Sequence, residues 1–214
     1  MLAKAISRAA KRTLDFAIAT IGMVVLSPLM LAVALAIRWR MGRPVLFRQR
    51  RPGLQARPFT ILKFRTMTVG DTSATHHSDQ ARLTPSGASL RRYSLDELPQ
   101  LWNVMKGEMS LVGPRPLLTE YLDRYTPEQA RRHEAKPGIT GWAQVQGRQD
   151  IPFSRRLEYD VWYVDHQSFW LDLKILWLTL LKLFGTGVRS GQDVRLVDDL
   201  GLHPATRNRE GVHD

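Results

Sequence analysis

The 214-residue chain contains no cysteine. This absence excludes disulfides, cysteine-ligated zinc, iron–sulfur clusters and a cysteine nucleophile. Acidic residues are also scarce at the start of the chain, because residues 1–65 contain only Asp15 against 13 Lys and Arg. The rest of the chain is nearly neutral, so the formal net charge of +11 belongs to the N-terminal third. A basic segment of this kind predicts an anionic partner.

Several catalytic and binding motifs are missing as well. The sequence has no GxxxxGK[ST], no GxGxxG after a strand, no HExxH and no GxSxG. Basic and aromatic residues alternate around positions 38–65, as they do in some nucleic-acid-binding proteins, but no nucleic-acid-binding motif occurs there. The neighbouring apolar run explains the charge better, so no nucleic-acid partner is expected.

One long apolar run, residues 13–37, lies between the basic residues, and Asp15 is its only charge. As a helix it would extend about 37 Å, enough for a hydrocarbon core of about 30 Å. It is too long for the apolar part of a secretory signal peptide. Ser27-Pro28 interrupts the run near its middle, where proline removes a backbone donor.

From these residues alone, a single membrane span and a re-entrant helix hairpin both remain open. Basic residues flank the run on both sides, which favours keeping both ends in the cytoplasm. A helix that enters the membrane, breaks at Pro28 and returns is consistent with this charge. The Ser27 hydroxyl can then satisfy a backbone group that the break sets free.

The remaining chain predicts an α+β, mainly helical fold. Short strands at 45–47 and 59–64, separated by the Pro52-Gly53 turn, indicate a β-hairpin. The polar stretch 69–89 indicates a mobile loop, in which His76-His77 is interpreted as solvated rather than metal-binding. We divide the chain into a basic membrane segment (1–43), a catalytic domain (44–184) and a polar tail (185–214).

Further helices are expected at 95–106, within 117–134, at 153–166 and at 169–184, with a short strand at 143–145. Ser94 and Glu97 have the spacing of a capping box, which would begin the helix at 95. The last helix is strongly apolar and carries Trp170 and Trp177. An amphipathic helix in the membrane interface and a buried core helix both fit it.

The most informative candidate for chemistry is the adjacent acidic pair Asp96 and Glu97. Successive helical side chains project about 100° apart, so two carboxylates can flank one metal or take different roles. Cations and a divalent metal neutralise phosphoryl oxygens, while a carboxylate can attack phosphorus. Alternatively, the pair only favours a helix N-terminus by its charge. The cations that lie near turns or element ends are Lys63, Arg65, Arg91, Arg92 and Arg115.

Long ungapped strings cover most of residues 11–184 in an order that matches one known family. They are Lys11-Arg12 with Asp15, Ser27-Pro28, LFRQRRPG (46–53), LKFRTM (62–67), LRRYSLDELPQLWNVMKGEMSLVGPRP (90–116), KPGITGWAQVQGR (136–148) and YDVWYVDHQSFWLDLKIL (159–176). In these strings the sequence resembles the bacterial sugar transferases of the monotopic phosphoglycosyl transferase superfamily. Tyr93, Ala56 and residues 149–152 depart from the usual pattern, and the last of these concerns sugar recognition, so the sugar stays open.

This resemblance implies transfer of a sugar-1-phosphate from a UDP-sugar to polyprenyl (undecaprenyl) phosphate, with release of UMP, at the start of membrane-associated glycan assembly. It places a re-entrant helix, broken at Ser27-Pro28, at the cytoplasmic face of a bacterial inner membrane. An anionic phospholipid surface and a second copy of the chain are further expected partners. A membrane-anchored scaffold without activity, or an inactive relative, is the alternative.

The resemblance also assigns roles to particular residues. It makes Asp96 the nucleophile that forms a phosphosugar–enzyme intermediate, and Glu97 the ligand of a magnesium ion. It gives Asp172 an active-site or positioning role. The residues that it implies for phosphate binding are Lys63, Arg65, Arg91 and Arg115.

Overall fold

The computed structural model describes residues 2–68, 82–147 and 151–184, together with Leu200. Within these ranges the chain is mainly helical with a short antiparallel strand pair, which confirms the coarse fold prediction. Most of the predicted loop, residues 69–81 with His76-His77, lies outside the described residues. The predicted tail from residue 185 also lies outside them, apart from Leu200.

Two helices form the N-terminal segment: α1 (Leu2–Val25) and α2 (Ser27–Met41). No single helix in the described ranges is long and apolar enough to span a bilayer. The segments Ala9–Val25 and Ser27–Met41 meet that criterion only as a pair, bent by 60°. The Ser27 hydroxyl donates to the Val24 carbonyl at 2.7 Å, which replaces the bond that Pro28 cannot donate.

The β-hairpin consists of β1 (Leu46–Pro52) and β2 (Pro58–Phe64), and both strands are longer than predicted. They pair antiparallel, with Leu46 opposite Phe64 and Pro52 opposite Pro58. A short 3₁₀ turn joins them, and in it Ala56 adopts a φ of 58°. This left-handed region favours glycine, so alanine is an unusual residue for this backbone conformation.

The sequence between the hairpin and the acidic pair is more regular than predicted. Helix α3 (Pro85–Arg92) occupies part of the expected 69–89 loop, so the loop prediction is wrong for those residues. The helix forms because the Thr84 side chain accepts a hydrogen bond from Gly87 N at 3.0 Å and Pro85 occupies the first turn. A Cβ at Gly87 would lie 1.9 Å from the Thr66 carbonyl oxygen, so the helix packs tightly against the end of the hairpin.

The single helix predicted over 95–106 is wrong in its first turn. A 3₁₀ turn (Leu95–Glu97) precedes helix α4 (Gln100–Lys106), with Pro99 between them, because proline cannot donate to the carbonyl four residues earlier. The capping-box prediction is wrong too. Ser94 has a φ of 57° and its side chain makes no capping hydrogen bond.

The remaining elements surround a short parallel strand pair, β3 (Ser110–Val112) with β4 (Gly138–Thr140). The strand predicted at 143–145 is wrong, since Ala and Gln are good helix formers there and Val145 N bonds to the Gly141 carbonyl. The helix predicted within 117–134 is divided at Thr126-Pro127. The elements are the 3₁₀ turns Thr119–Arg124 and Arg131–Glu134, and the helices α5 (Pro127–Ala130), α6 (Trp142–Gly147), α7 (Phe153–His166) and α8 (Phe169–Phe184).

The core lies where the N-terminal helix meets the part of the chain that follows the helix pair. Ala19 of α1 packs with Leu101 and Val104 of α4, and Ile61 of β2 belongs to the same buried cluster. At Gly22 an added Cβ would lie 3.3 Å from the Leu101 side chain, so the two helices approach closely. Helix α4 is therefore held between α1 and the β-hairpin, and the acidic pair that precedes it lies at this junction.

Candidate active site

The acidic pair lies in the 3₁₀ turn between α3 and α4, and both residues are buried. Glu97 Oε1 accepts hydrogen bonds from Lys63 Nζ at 3.0 Å and from Arg115 Nη2 at 2.5 Å. Its other oxygen, Oε2, lies 3.4 Å from Arg115 Nη1. Glu97 thus brings together two of the cations that the sequence had suggested for phosphate binding.

Lys63 reaches the acidic pair because the β-hairpin is fastened to helix α4. Asn103, which is fully buried, donates to the Thr60 carbonyl at 2.7 Å and accepts from Leu62 N at 3.1 Å. These two bonds hold the strand on both sides of position 61 against the helix. The register of Lys63 relative to Glu97 therefore depends on one amide side chain.

Arg115 reaches the same carboxylate from the end of β3. Gly113 N donates to the Thr140 carbonyl and Gly138 N to the Pro114 carbonyl, which extends the strand pairing up to Arg115. A Cβ at Gly113 would lie 2.2 Å from the Lys136 carbonyl oxygen, so only glycine fits this approach. The guanidinium is consequently presented from a rigid backbone.

The two carboxylates have opposite electrostatic environments. Burial alone would raise the pKa of Glu97, but Arg115 and Lys63 outweigh it and hold this pKa well below its usual range. Burial and the neighbouring Glu97 charge raise the pKa of Asp96 above its ordinary value, with Lys63, Arg91 and Arg115 acting in the opposite direction. Glu97 is thus a fixed anion, and Asp96 is the carboxylate whose charge is destabilised.

Asp96 Oδ1 is buried and has no hydrogen-bond partner among the described residues. Buried polar atoms are nearly always satisfied, so an unpartnered carboxylate oxygen beside several cations indicates a group that meets another molecule. Ser94, two residues before it, has the positive φ described above. Backbone conformations of this kind cluster at functional sites.

The other two arginines predicted to bind phosphate, Arg91 and Arg65, make different contacts. Arg91 Nε donates to Thr66 Oγ1 at 3.0 Å, and its positive charge acts against the increase in the pKa of Asp96. Buried Arg65 directs its described hydrogen bonds to the Met41, Gly42 and Arg43 carbonyls at the end of α2. Arg91 therefore belongs to the acidic pair, while Arg65 caps a helix C-terminus.

Asp172 belongs to a second buried network, which fastens α1 to α8. Its Oδ2 accepts from Lys11 Nζ at 2.6 Å, and its Oδ1 accepts from the Tyr163 hydroxyl at 2.6 Å. Lys11 also donates to the Val112 carbonyl at 3.1 Å. Burial raises the pKa of Asp172 although Lys11 opposes this. The described hydrogen bonds of Asp172 thus support positioning of the N-terminal helix rather than contact with Asp96.

Neighbouring residues of α1 repeat this anchoring. Arg12 donates to the Val104 and Met105 carbonyls at 2.6 and 2.7 Å, which satisfies the end of α4. Asp15 Oδ1 accepts from Leu111 N at 3.0 Å. The sequence had identified Lys11, Arg12 and Asp15 only as parts of a matching string. Asp15 follows Lys11 by four residues and Arg12 by three, so on a helix all three lie on one side. This spacing could have predicted that they contact the same part of the protein.

We expect Lys11→Met to destabilise the protein by about 2–3 kcal/mol, because it leaves the Asp172 carboxylate buried without its cation. Thermal unfolding of the detergent-solubilised protein measures this change. The matched control is Lys106→Met, which removes a solvent-exposed ion pair with Glu108 and is expected to change the unfolding temperature little. Adding Asp172→Asn to Lys11→Met should restore part of the loss. Equal unfolding temperatures for the two lysine variants would contradict the anchoring role.

The carboxylates of Asp96 and Glu97 are oxygen ligands of the kind that a magnesium ion binds. In the described ranges, no group of three or more Asp, Glu or His side chains has the arrangement of a metal site. Magnesium, however, is commonly held by one or two carboxylates together with substrate phosphates. Asp96 Oδ1 has no partner in the described part of the chain, and Glu97 Oε2 has a single long contact to Arg115. The pair therefore fits an ion that shares its coordination with a substrate.

Taken together, the site is an acidic pair enclosed by Lys63, Arg91 and Arg115, with one carboxylate oxygen left open. Cations fixed by the backbone can neutralise phosphoryl oxygens, and a partly desolvated carboxylate can act as a nucleophile. These features are typical of proteins that bind phosphate-bearing substrates.

The comparisons with known proteins agree with this class. Residues 6–186 match the model of the bacterial sugar transferase family. An uncharacterised sugar transferase of Bacillus subtilis, EpsL, is 53% identical over 174 residues, covering 81% of this chain and 86% of that protein. The chain belongs to the bacterial sugar transferase family.

Relatives with a named activity are larger. A UDP-glucose:undecaprenyl-phosphate glucose-1-phosphate transferase of Xanthomonas campestris is 43% identical over 188 residues, covering 82% of this chain and 39% of that protein. An undecaprenyl-phosphate galactose phosphotransferase of Salmonella typhimurium is 36% identical, covering 83% of this chain and 41% of that protein. The chain thus spans about two fifths of these two relatives.

Proposed function

We propose that this protein transfers a sugar-1-phosphate from a UDP-sugar to polyprenyl phosphate and releases UMP. The observation that carries the proposal is the open Asp96 Oδ1 beside Glu97, whose own charge is neutralised by Lys63 and Arg115. Membership of the sugar transferase family and the activities named for the larger relatives support it. Those relatives differ in their sugar, glucose in one and galactose in the other, so the donor sugar of this protein stays open.

In the first half-reaction, an Asp96 carboxylate oxygen bonds to the phosphorus that carries the sugar. The bond between this phosphorus and the bridging oxygen of the diphosphate breaks, and the bridging oxygen leaves with its electron pair as part of UMP. Lys63, Arg91 and Arg115 provide positive charge where the phosphoryl oxygens develop negative charge. The raised pKa of Asp96 fits this role, because a destabilised carboxylate gains by sharing its electrons with phosphorus.

In the second half-reaction, an oxygen of polyprenyl phosphate bonds to the same phosphorus. The acyl-phosphate bond breaks, its electron pair returns to Asp96, and the product is a polyprenyl diphosphate sugar. A covalent intermediate allows UMP to leave before the lipid arrives, so one small site can serve both substrates. Glu97 stays ionised throughout because its two cations hold its pKa low.

Magnesium is part of the proposal, with Glu97 as its protein ligand. When bound, the ion would act as a Lewis acid that neutralises charge on the phosphoryl oxygens. The protein itself contributes the pair of carboxylates and the surrounding cations, which restrict where a diphosphate can lie. Chelation with EDTA should stop UMP release, and added magnesium should restore it.

The decisive experiment is a donor panel. Detergent-solubilised protein is incubated with magnesium, undecaprenyl phosphate and a series of UDP-sugars, and UMP is measured. UMP release with one or a few donors, and only with the lipid present for multiple turnovers, is the expected result. Failure to release UMP from every donor would favour a non-catalytic scaffold.

The membrane arrangement is a further part of the proposal: the protein enters the cytoplasmic leaflet of a bacterial inner membrane with α1 and α2 and does not cross it. Several apolar side chains of this pair are exposed, including Val24, Val25 and Leu31. Exposed apolar surface of this extent marks an interaction site. Trp170 and Trp177 are exposed on α8 as well, while Leu171 and Ile175 on its other side are buried. This helix is proposed to lie in the interface. A homodimer stays a prediction.

We expect both flanks of the helix pair to be accessible only from the cytoplasmic side. Single cysteines replace Lys4 or Arg43 on this cysteine-free chain, and a membrane-impermeant thiol reagent is added to spheroplasts or to inverted vesicles. Both variants should react in inverted vesicles and remain unreacted in spheroplasts, because the proposed hairpin returns the chain to its starting side; the 60° bend between the two helices is compatible with such a return. Labelling from opposite sides would show a single span instead.

A further inference from the structure

Arg156, on helix α7, is a buried cation without a partner of its own. Only 9% of the residue is exposed, yet its guanidinium makes no hydrogen bond or ion pair with the described residues. Its contact is with the Phe153 ring, whose centroid lies 5.1 Å away. A buried charge is normally paired or coordinated. An arginine in this state indicates that an anion completes its surroundings.

The groups around Arg156 do not remove its charge. Burial and the nearby Arg115 and Arg132 lower its pKa, and only Asp160 opposes them strongly. Asp160, however, is already paired with Arg132, which donates to Asp160 Oδ2 from Nε at 3.1 Å and from Nη2 at 2.6 Å. Asp160 therefore lies near two guanidinium groups, and among the described residues Arg156 is the one that makes no hydrogen bond to it.

Arg51, at the end of β1, adds a second positive charge next to the same Arg115. It donates to Gln49 Oε1 and to the Pro116 carbonyl, and makes no ion pair within the described part of the chain. Burial and the charge of Arg115 lower its pKa to about 10. Arg115, whose charge lowers the pKa of both Arg51 and Arg156, is itself paired with Glu97.

We propose that Arg156, together with Arg51, binds a second phosphate group next to Arg115. This inference rests on the proposed function and adds a site to it. The reaction needs one phosphorus at Asp96 and a further phosphate beside it, which belongs either to the UMP leaving group or to the polyprenyl phosphate acceptor. Guanidinium groups suit this ligand because they bind phosphate through two parallel hydrogen bonds.

Affinity measurements on full-length protein in detergent test the site and separate the two sources. Arg156→Gln and Arg156→Leu both remove the guanidinium, and the leucine keeps apolar packing against Phe153. UMP and polyprenyl phosphate are titrated separately by calorimetry. We expect one of the two affinities to fall about 10- to 100-fold in both variants, the loss of a charge-assisted contact. A lower affinity for UMP would show that Arg156 binds the phosphate of the leaving group. A lower affinity for polyprenyl phosphate would show that it binds the phosphate of the acceptor.

The matched control is Arg155→Gln, one residue earlier on the same helix. Arg155 is exposed and paired with Glu158, so its removal should leave both affinities unchanged. Arg156→Lys keeps the charge and should recover part of the lost affinity. Wild-type affinities in both Arg156 variants would overturn the site, even if the variants unfold at lower temperature. If the wild type binds neither ligand and releases no UMP, the proposed function itself fails.

Exchange of labelled UMP provides a second readout that does not need the lipid. The wild type should exchange label between UMP and the UDP-sugar, because this needs the first half-reaction alone. If Arg156 holds the leaving group, both Arg156 variants lower this exchange. If it holds the acceptor phosphate, exchange is unchanged and only lipid-dependent turnover falls. A loss in neither reaction contradicts the inference while leaving the proposed function intact.

Discussion

Replacing Asp96 with asparagine is expected to reduce UMP release by about 1,000-fold or more, because the amide cannot form the covalent bond to phosphorus. The covalent phosphosugar adduct, detected by mass spectrometry of protein incubated with donor alone, should disappear. Asparagine has nearly the same shape as aspartate, so Glu97, Lys63 and Arg115 keep their contacts. Wild-type turnover in this variant would show that another group is the nucleophile.

The same substitution should raise the unfolding temperature. The pKa of Asp96 is raised in the folded protein, chiefly by burial and then by Glu97, so its ionised form costs folding free energy at neutral pH. A neutral amide removes that cost. Below the ordinary aspartate pKa of 3.8 the wild-type carboxyl is protonated in both states, so the difference between the two proteins should shrink as the pH falls. Asp123→Asn, at an exposed position, is the control and should show no such pH dependence.

The rate of turnover should also fall at low pH, where Asp96 becomes protonated. Attack on phosphorus needs the Asp96 carboxylate, so turnover should fall as the pH drops through its raised pKa. Glu97 behaves oppositely, because Arg115 and Lys63 hold its pKa low and it keeps its charge across this range. Profiles of turnover against pH, measured at saturating donor, show the position of the fall.

The sequence could predict the mainly helical fold, the strand pairing of the hairpin and the acidic pair, because each depends on local pattern. Alternating apolar residues and Pro52-Gly53 are enough to place a hairpin. The helix start at Ser94 was wrong because Pro99 four positions after Leu95 interrupts the backbone bonds that a capping box would begin. The spacing of Ser94 and Glu97 favoured a helix start and Pro99 opposed it, and the sequence alone could not show which of the two would prevail.

The roles of individual cations could not be read from the sequence, because they depend on contacts between distant residues. The sequence predicted an anionic partner for the basic N-terminal third, and the resemblance implied phosphate binding for Lys63 and Arg65 within it. In the structure, Lys11 and Arg12 bind Asp172 and the end of α4, and Arg65 binds carbonyls at the end of α2. Lys63 alone of these four pairs with Glu97. Part of the charge excess therefore fastens the apolar helix pair to the catalytic part of the chain.

Arg132 and Asp160 were not identified from the sequence at all, although they support the site from behind. The two side chains are 1% and 3% exposed and form a two-bond ion pair. Arg132 also donates to the Arg115 carbonyl at 2.7 Å and to the Tyr125 hydroxyl at 3.3 Å. It thus holds the backbone of the arginine that binds Glu97. No local spacing could have identified this pair, because Arg132 and Asp160 are 28 residues apart in the chain.

Replacing Arg132 with methionine is expected to destabilise the protein by about 3–5 kcal/mol, since it leaves Asp160 buried and charged without its cation. For a chain of this size the unfolding temperature should fall by roughly 10 °C. In protein that remains folded, the Arg115 carbonyl loses its donor, so the KM for the UDP-sugar should rise more than kcat falls. Thermal unfolding in detergent and steady-state UMP release measure the two effects.

Arg131→Met is the matched control, because it removes the same charge one residue away from the buried Arg132. Arg131 is partly exposed and pairs with Glu128, Glu134 and Asp165, so its loss should change stability and KM little. Adding Asp160→Leu to Arg132→Met removes the stranded carboxylate and should recover part of the stability. It should not recover the KM, because the Arg115 carbonyl still has no donor. Recovery of both would mean that Arg132 acts only through Asp160, and equal behaviour of the Arg131 and Arg132 variants would show that the buried pair does not support the site.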